Sequence, residues 1–463
     1  MSTTRRQFCI ATGIGLCGSM LTERTGEAMT IATGEKTKLA IHGGPKTIET
    51  EDPSLFKWPI VTEEDEKAVL EVIRAGTMSN WDITMKFERD YADWMGAKFC
   101  LASCNGTASL HEAMFGVGIG RGDEMIMPSL TYWASGLQLL SMGATPVFAD
   151  IEPDSVCIDP KDIEKKISPR TKAVMIVHYC GHPCDMDAIV DVCRRHKLKL
   201  IEDCSHAHGT MYKGRMVGTF GDVSAASLMA SKSLPAGEGG MLWTNDRTIF
   251  ERAVAFAHYE RTKTEITDTK LKSIVAPDSI PTGMPVGGIK GRMNQTCAAM
   301  GRVQLKAYPA RIVEIQKAMN HFWDALEGTP GLRPHRVAKD SNSTMGGWYN
   351  PLGHYLPEEL GGLPVGKFID AVAKEGGGSR RAANFPMHLH PVLNDMDVYH
   401  DGKPTRIAFS DRDVREPKGA LPVSEALASR IFGVPWFKHY RPEQIEQYAM
   451  AYKKVALNAD QLM

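Results

Sequence analysis

An apolar run that ends in an acid, Leu200-Ile201-Glu202-Asp203, is followed by a second that leads into Ser227-Leu228-Met229-Ala230-Ser231-Lys232. A carboxylate and a primary amine in this setting suit pyridoxal phosphate. A lysine amine holds that cofactor's aldehyde as an imine, and a carboxylate beside the ring nitrogen keeps it protonated so that the ring can accept electrons. Lys232 and Asp203 would fill these two roles. An isolated Asp and Lys are more often a solvated strand-end acid and a surface lysine, so the surrounding residues have to decide.

Asn105-Gly106-Thr107-Ala108-Ser109 precedes a helical pattern. There the free backbone N–H groups and the positive end of the helix dipole favour a phosphate, although the same residue types also simply cap helices. Thr131-Tyr132-Trp133 follows the apolar run Met125-Ile126-Met127, at the carboxyl end of a strand, where ligands of parallel sheets collect and an aromatic ring can stack on a flat cofactor. The glycine-rich run Gly116 to Gly122 leads into a strand and matches neither nucleotide-binding glycine pattern, so it reads as a connection. Cys180, Cys184, Cys193 and His196 offer zinc-type donors, but the paired C-x2-C spacing is absent.

The elements that must position these residues alternate. Apolar strands at Met125 to Met127, Pro146 to Ala149, Ala173 to Val177 and Leu198 to Glu202 are separated by helical patterns and by Gly/Pro turns, which predicts a mostly parallel sheet covered by helices on both faces. Helices are expected from Val61 to Gly76, Phe87 to Met95, Asn294 to Tyr308 and Pro442 to Leu462. The Gly-, Pro- and charge-rich connections after 328 suit a smaller α/β domain. The predicted division is a segment 1–30, a large cofactor-binding domain 31–310 and a small C-terminal domain 311–463. With 463 residues, 43% hydrophobic, and a formal net charge of −1, the chain gives no electrostatic reason to expect nucleic acid or an anionic membrane as its partner. Ten cysteines in this length make no dense disulfide framework.

Thr3-Thr4-Arg5-Arg6-Gln7-Phe8 and the short apolar run Cys9 to Leu21 read as a twin-arginine export signal, too short to span a bilayer. The location expected from it is periplasmic. Met29 offers the other reading, a cytoplasmic protein that starts there.

The order of these motifs resembles the DegT/DnrJ/StrS-type sugar aminotransferase family of fold type I pyridoxal-phosphate enzymes, over roughly residues 38 to 460. It rests on Asn105 to His111, Gly122-Asp123-Glu124 with Pro128 to Tyr132, Gly143 to Asp150, and Val177 to Gly181. It continues through Glu202 to Gly209, Ser227 to Lys232 with Gly237 to Gly240, Arg292-Met293 and Phe385 to His388. The resemblance implies that Lys232 is the imine-forming lysine, Asp203 the partner of the pyridine nitrogen and Tyr132 the ring-stacking aromatic. It places the phosphate on the amides of Gly106, Thr107 and Ala108 and the hydroxyl of Ser227. His206 stands where many members have glutamine, and Lys290 where many have an asparagine that reaches the neighbouring subunit's phosphate. Arg380 and Arg381 also depart from the pattern, and a solvated pair or a contact to an anionic substrate group would each account for them. The implied activity moves an amino group from an amino acid, glutamate or glutamine, to a keto sugar or keto cyclitol, in a homodimer with shared sites. Dehydratase-like relatives carry histidine in place of the lysine, so Lys232 argues against that chemistry. A non-catalytic sugar-binding protein on the same fold would need neither Lys232 nor Asp203.

Overall fold

In the computed structural model, which describes residues 37–463, strands and helices alternate as the apolar runs predict. The strands are β1 (Phe99–Ser103), β2 (Glu124–Pro128), β3 (Thr145–Ala149), β4 (Thr171–Val177) and β5 (Lys199–Asp203). A short hairpin of β6 (Met211–Tyr212) and β7 (Arg215–Met216) follows, then β8 (Val223–Ser227) and β9 (Gly240–Thr244). Seven of them form one sheet in the order β1-β9-β8-β5-β4-β2-β3. Only β9 runs against its neighbours. The expected export segment lies outside the described residues.

Alternation within each strand explains why the sheet is buried on both faces. In β4, Ala173 and Met175 join one core with Leu110 and Ala253 of the helices Gly106–Gly116 and Arg247–Ala257, while Val174 and Ile176 join another with Ile189 of the helix Met186–His196. Each such fully buried aliphatic side chain stabilises the fold by about 1.5–3 kcal/mol. Among the described residues no helix is long and apolar enough to cross a membrane.

A second, antiparallel sheet consists of β10 (Leu332–Pro334), β11 (Leu352–Tyr355) and β12 (Ile431–Gly433). Its core gathers Trp323, Phe368, Phe432 and Tyr452, and also Leu39, Ile48 and Leu55 from the start of the described chain. The N-terminal segment therefore packs with C-terminal residues, and the two cores do not divide the chain at one point.

The helix expected to end at Tyr308 runs on as Gln295–Ala325, with Pro309 inside it. An interior proline removes one hydrogen bond and costs ~3 kcal/mol. Burial on both sides offsets this: Leu305 and Tyr308 enter the core beneath β1 and β8, and Ile315, Met319 and Phe322 enter that of the second sheet. The first helix, Glu63–Arg74, starts at a capping box between Thr62 and Asp65. It meets the long helix through Asp65, whose Oδ1 accepts from Gln304 Nε2 at 2.6 Å. That orientation leaves the apolar Leu70 and Ile73 41% and 49% exposed.

Candidate functional site

Asp203 ends β5 in the middle of the large sheet, in register with Val177 on one side and Ala225 on the other. Its carboxylate is held by two donors. Ser135 Oγ donates to Oδ2 at 2.8 Å and the Ser205 N–H donates to Oδ1 at 3.0 Å. The neighbouring Glu202 points the other way and anchors the strand. Its Oε2 accepts from Gly218 N at 2.7 Å, its Oε1 accepts from Phe220 N at 2.8 Å and Gly221 N at 2.6 Å, and His178 Nε2 lies 3.1 Å away. Fully buried, Glu202 is nonetheless held below the usual carboxylate range, because the imidazole and these amides outweigh burial. Among the described residues, His178, Glu202 and Cys204 are the one group with three metal-type donors in reach of one another. The saturated carboxylate gives them a structural reading. The four residues considered for zinc do not converge, since His196 lies at the surface against Glu164.

Lys232 follows β8 on the turn between that strand and β9, its N–H donating to Met229 O at 2.8 Å and its carbonyl accepting from Trp58 Nε1 at 2.8 Å. The side chain is 8% exposed, with Nζ 4.1 Å from the centre of the Tyr349 ring. Burial brings its amine down to about 8, against the opposing pull of Asp203 and Cys180. At neutral pH roughly a tenth is therefore the free, nucleophilic base, far more than for an ordinary lysine.

A cavity of about 340 Å³ opens between these two residues. Gly106, Thr107, Tyr132, Asp203, His206, Ser227 and Lys232 all line it. Gly106 begins the helix Gly106–Gly116, capped by Asn105. A Cβ at Gly106 would stand 2.6 Å from Ser227 Cβ and 2.7 Å from its Cα, so only glycine lets the helix start close onto the end of β8. Tyr132, 53% exposed, packs against Trp133 with ring centroids 5.2 Å apart and forms an open wall. Buried His206 is held well below its ordinary range, first by burial and then by the Lys232 charge. Its Nδ1 accepts from Cys180 N at 3.3 Å, so Nε2 carries the proton and can donate.

Two expected contributors stand apart. The Ala108 N–H donates to Asn105 Oδ1 at 2.9 Å, so the helix cap uses that amide, and Ala108 does not line the cavity. Lys290 does not line it either. Its Nζ lies 5.9 Å from the centre of the Tyr259 ring. Sequence reasoning missed Ser135, Ser205, Tyr349 and Asn350. Ser205, two residues beyond Asp203, carries a local signal, a side-chain-to-backbone turn after an acid; Ser135 ends the short turn Trp133–Ser135 just past Tyr132, and Tyr349 and Asn350 come from a distant loop and carry none.

The residue set fits pyridoxal phosphate. It offers a buried amine, a carboxylate held by two donors, a helix N-terminus at a glycine that admits close approach, and an aromatic wall.

Comparison with known proteins finds one family. The model of the DegT/DnrJ/EryC1/StrS aminotransferase family matches residues 59–452. A putative L-glutamine:3-amino-2,3-dideoxy-scyllo-inosose aminotransferase of Micromonospora echinospora is 32% identical over 434 residues, which cover 91% of this chain and 97% of that protein. GDP-perosamine synthase of Caulobacter vibrioides is 34% identical over 353 residues, covering 73% and 88% respectively. Among solved structures, DesI in the presence of its TDP-sugar product superposes with a TM-score of 0.74 at 26% identity, covering 92% of this chain and 98% of that one.

Proposed function

The chain belongs to the DegT/DnrJ/EryC1/StrS aminotransferase family and is a pyridoxal-phosphate-dependent aminotransferase, and we propose that it transfers an amino group from glutamate or glutamine to a keto sugar or keto cyclitol. The observation that carries this reading is the Lys232–Asp203 pair facing one cavity, which binding alone would not need. When bound, the cofactor supplies an aldehyde that carries the amino group and a ring that takes up electrons from the reacting carbon. The amides of Gly106 and Thr107 and the Ser227 hydroxyl would hold its phosphate, and Asp203 its ring nitrogen. The Lys232 amine, once free, takes the proton from the donor's α-carbon and later returns one to the acceptor carbon. His206 Nε2–H is placed to donate a hydrogen bond into the cavity. The absorption spectrum of the yellow holoenzyme should change on adding glutamate or glutamine and revert on adding a keto cyclitol or keto sugar. A spectrum unmoved by any amino acid sinks the proposal.

The active unit in this proposal is a homodimer. Lys290 stands outside its own subunit's cavity, and the segment leading to it exposes Ile274, Ile280, Met284 and Val286 at 66, 48, 74 and 50%. Such a patch suits burial against a second copy, where Lys290 would meet the neighbour's phosphate as a point charge. Lys290→Ala should weaken cofactor retention roughly tenfold, the scale of one charge-assisted contact. Mixed dimers of that variant with Lys232→Ala should recover about half the wild-type sites, because both defects fall in one composite pocket. A fully active monomer in sedimentation would reject the shared site.

Export completes the proposal and rests on Arg5-Arg6. Residues 1–35 fused to a reporter that works only outside the cytoplasm should direct its export, and replacing both arginines by lysine should stop it. Recovery of the native chain starting at Met29 would reject this element and leave the chemistry untouched.

A further inference from the structure

A second cavity, of about 430 Å³, adjoins the first and shares Tyr349 and Asn350 as walls. Two cations face it and no acid lines it. Arg380 enters from a backbone bridge to Gly433, its N–H donating to Gly433 O at 3.2 Å and its carbonyl accepting from Gly433 N at 2.7 Å. Its Nη2 donates to Asn350 Oδ1 at 2.6 Å, and its Nη1 is buried without a partner. Lys438 is 9% exposed, with Nζ 3.3 Å from Phe56 O and 4.4 Å from the centre of the Trp436 ring. Among the described residues neither cation forms an ion pair. Burial, and then the Arg380 charge, bring the Lys438 ammonium down to about 8, with no anion opposing them.

A buried ammonium beside a half-buried guanidinium, with no counter-ion, is costly, and a fold that keeps them together lacks the partner that would balance them. Arg381, the next residue, is exposed, so the arginine pair splits into one solvated side chain and one turned into the cavity. The second cavity also touches the reacting centre mechanically. Trp58, one of its walls, donates from Nε1 to the Lys232 carbonyl, and its ring lies 5.4 Å from that of Trp436. Tyr349 lies under the Lys232 amine and lines both cavities. A molecule whose reacting carbon sits at Lys232 would therefore extend past Tyr349 toward a guanidinium and an ammonium that no acid balances.

We propose that Arg380 and Lys438 form a subsite for a carboxylate carried by one of the two substrates that react at Lys232. This rests on the aminotransferase reading above and adds the chemical class of a group the substrate carries. Arg380 offers its guanidinium charge and Lys438 a point charge to the same oxyanion, while the Trp58 and Trp436 rings wall the apolar part of the ligand. The carboxylate belongs either to the amino donor or to an acidic sugar acceptor, and the two sources separate experimentally.

Binding to the holoenzyme is measured by calorimetry with two unreactive probes, glutarate and glucuronate, and with glucose as the uncharged control. At least one acid should bind to the wild type where glucose does not. Lys438→Gln should weaken it tenfold or more, the scale of a lost charge-assisted contact, and Lys438→Arg should keep it. Arg380→Gln should act in the same direction. Because Arg380 also holds Asn350, Lys438→Gln is the variant that decides. Loss of glutarate binding with a slowed spectral change on glutamate assigns the carboxylate to the donor. Loss of glucuronate binding with the glutamate step unchanged assigns it to the acceptor. If neither acid binds to the wild type at millimolar concentration, or Lys438→Gln binds both as tightly, the subsite does not exist. Failure of the wild type to react with any amino acid would instead refute the aminotransferase reading, which the binding measurement does not depend on.

Discussion

Lys232→Ala is expected to leave a folded protein that still takes up pyridoxal phosphate but transfers amino groups on the order of 10⁴-fold more slowly, the upper range for loss of a positioned general base. The fold should survive because the carbonyl of residue 232 keeps its bond to Trp58 and its N–H keeps its bond to Met229. Cofactor uptake should persist because Gly106, Thr107 and Ser227 line the cavity independently of the lysine. In the wild type, borohydride should fix the cofactor to Lys232 alone. Capture by the apoprotein should quicken as pH rises toward about 8, where burial has brought the amine, and level off above it. The sign follows from the chemistry: the ammonium that dominates at lower pH has no electron pair to attack with. Label on another lysine, found by peptide mass analysis, would remove Lys232 from this role.

Lys232 and Asp203 were legible in the sequence because each follows a strand-like apolar run, and runs of that kind mark the carboxyl ends where a parallel sheet collects ligands. The alternating strands were legible for the same reason. Other features were not. Pro309 argues for a helix end, and only the burial of Ile315, Met319 and Phe322 in a separate core carries the helix past it. Leu70 and Ile73 have the spacing of a core face, yet Asp65 turns that helix toward Gln304 and leaves them outside. The Ala108 amide looked free for a phosphate, but whether an asparagine caps a helix through its own side chain depends on a rotamer, which the residue order does not encode. The walls Tyr349 and Asn350 needed the tertiary fold, as did the bond from Ser135 to Asp203 and the buried charge of Lys438 beside Arg380.

Asp203→Asn isolates what the carboxylate does beyond filling space. The side chain now accepts from Ser205 N and Ser135 Oγ, and the Ser135 hydroxyl also lies 2.9 Å from Thr131 Oγ1. An asparagine can keep its Oδ1 toward the Ser205 amide and turn its Nδ2 toward Ser135, whose hydroxyl can accept as well as donate and can pass its own proton to Thr131. The variant should therefore fold, with a thermal midpoint within a few degrees of the wild type, and should retain cofactor. A neutral amide cannot balance a protonated ring nitrogen, so the ring loses its capacity to accept electrons from the reacting carbon. The expected result is a fall in kcat of roughly 10²–10⁴-fold, as for loss of one acid–base partner, with KM little changed because the lost interaction matters most when charge develops. Ser135→Ala removes one of the two bonds that orient the carboxylate without removing its charge, and should cost about tenfold, the scale of a single hydrogen bond to a charged group. Equal losses in the two variants would mean that placement of the group matters and its charge does not. Near-wild-type kcat in Asp203→Asn would remove the ring-nitrogen role from this residue while leaving Lys232 in place.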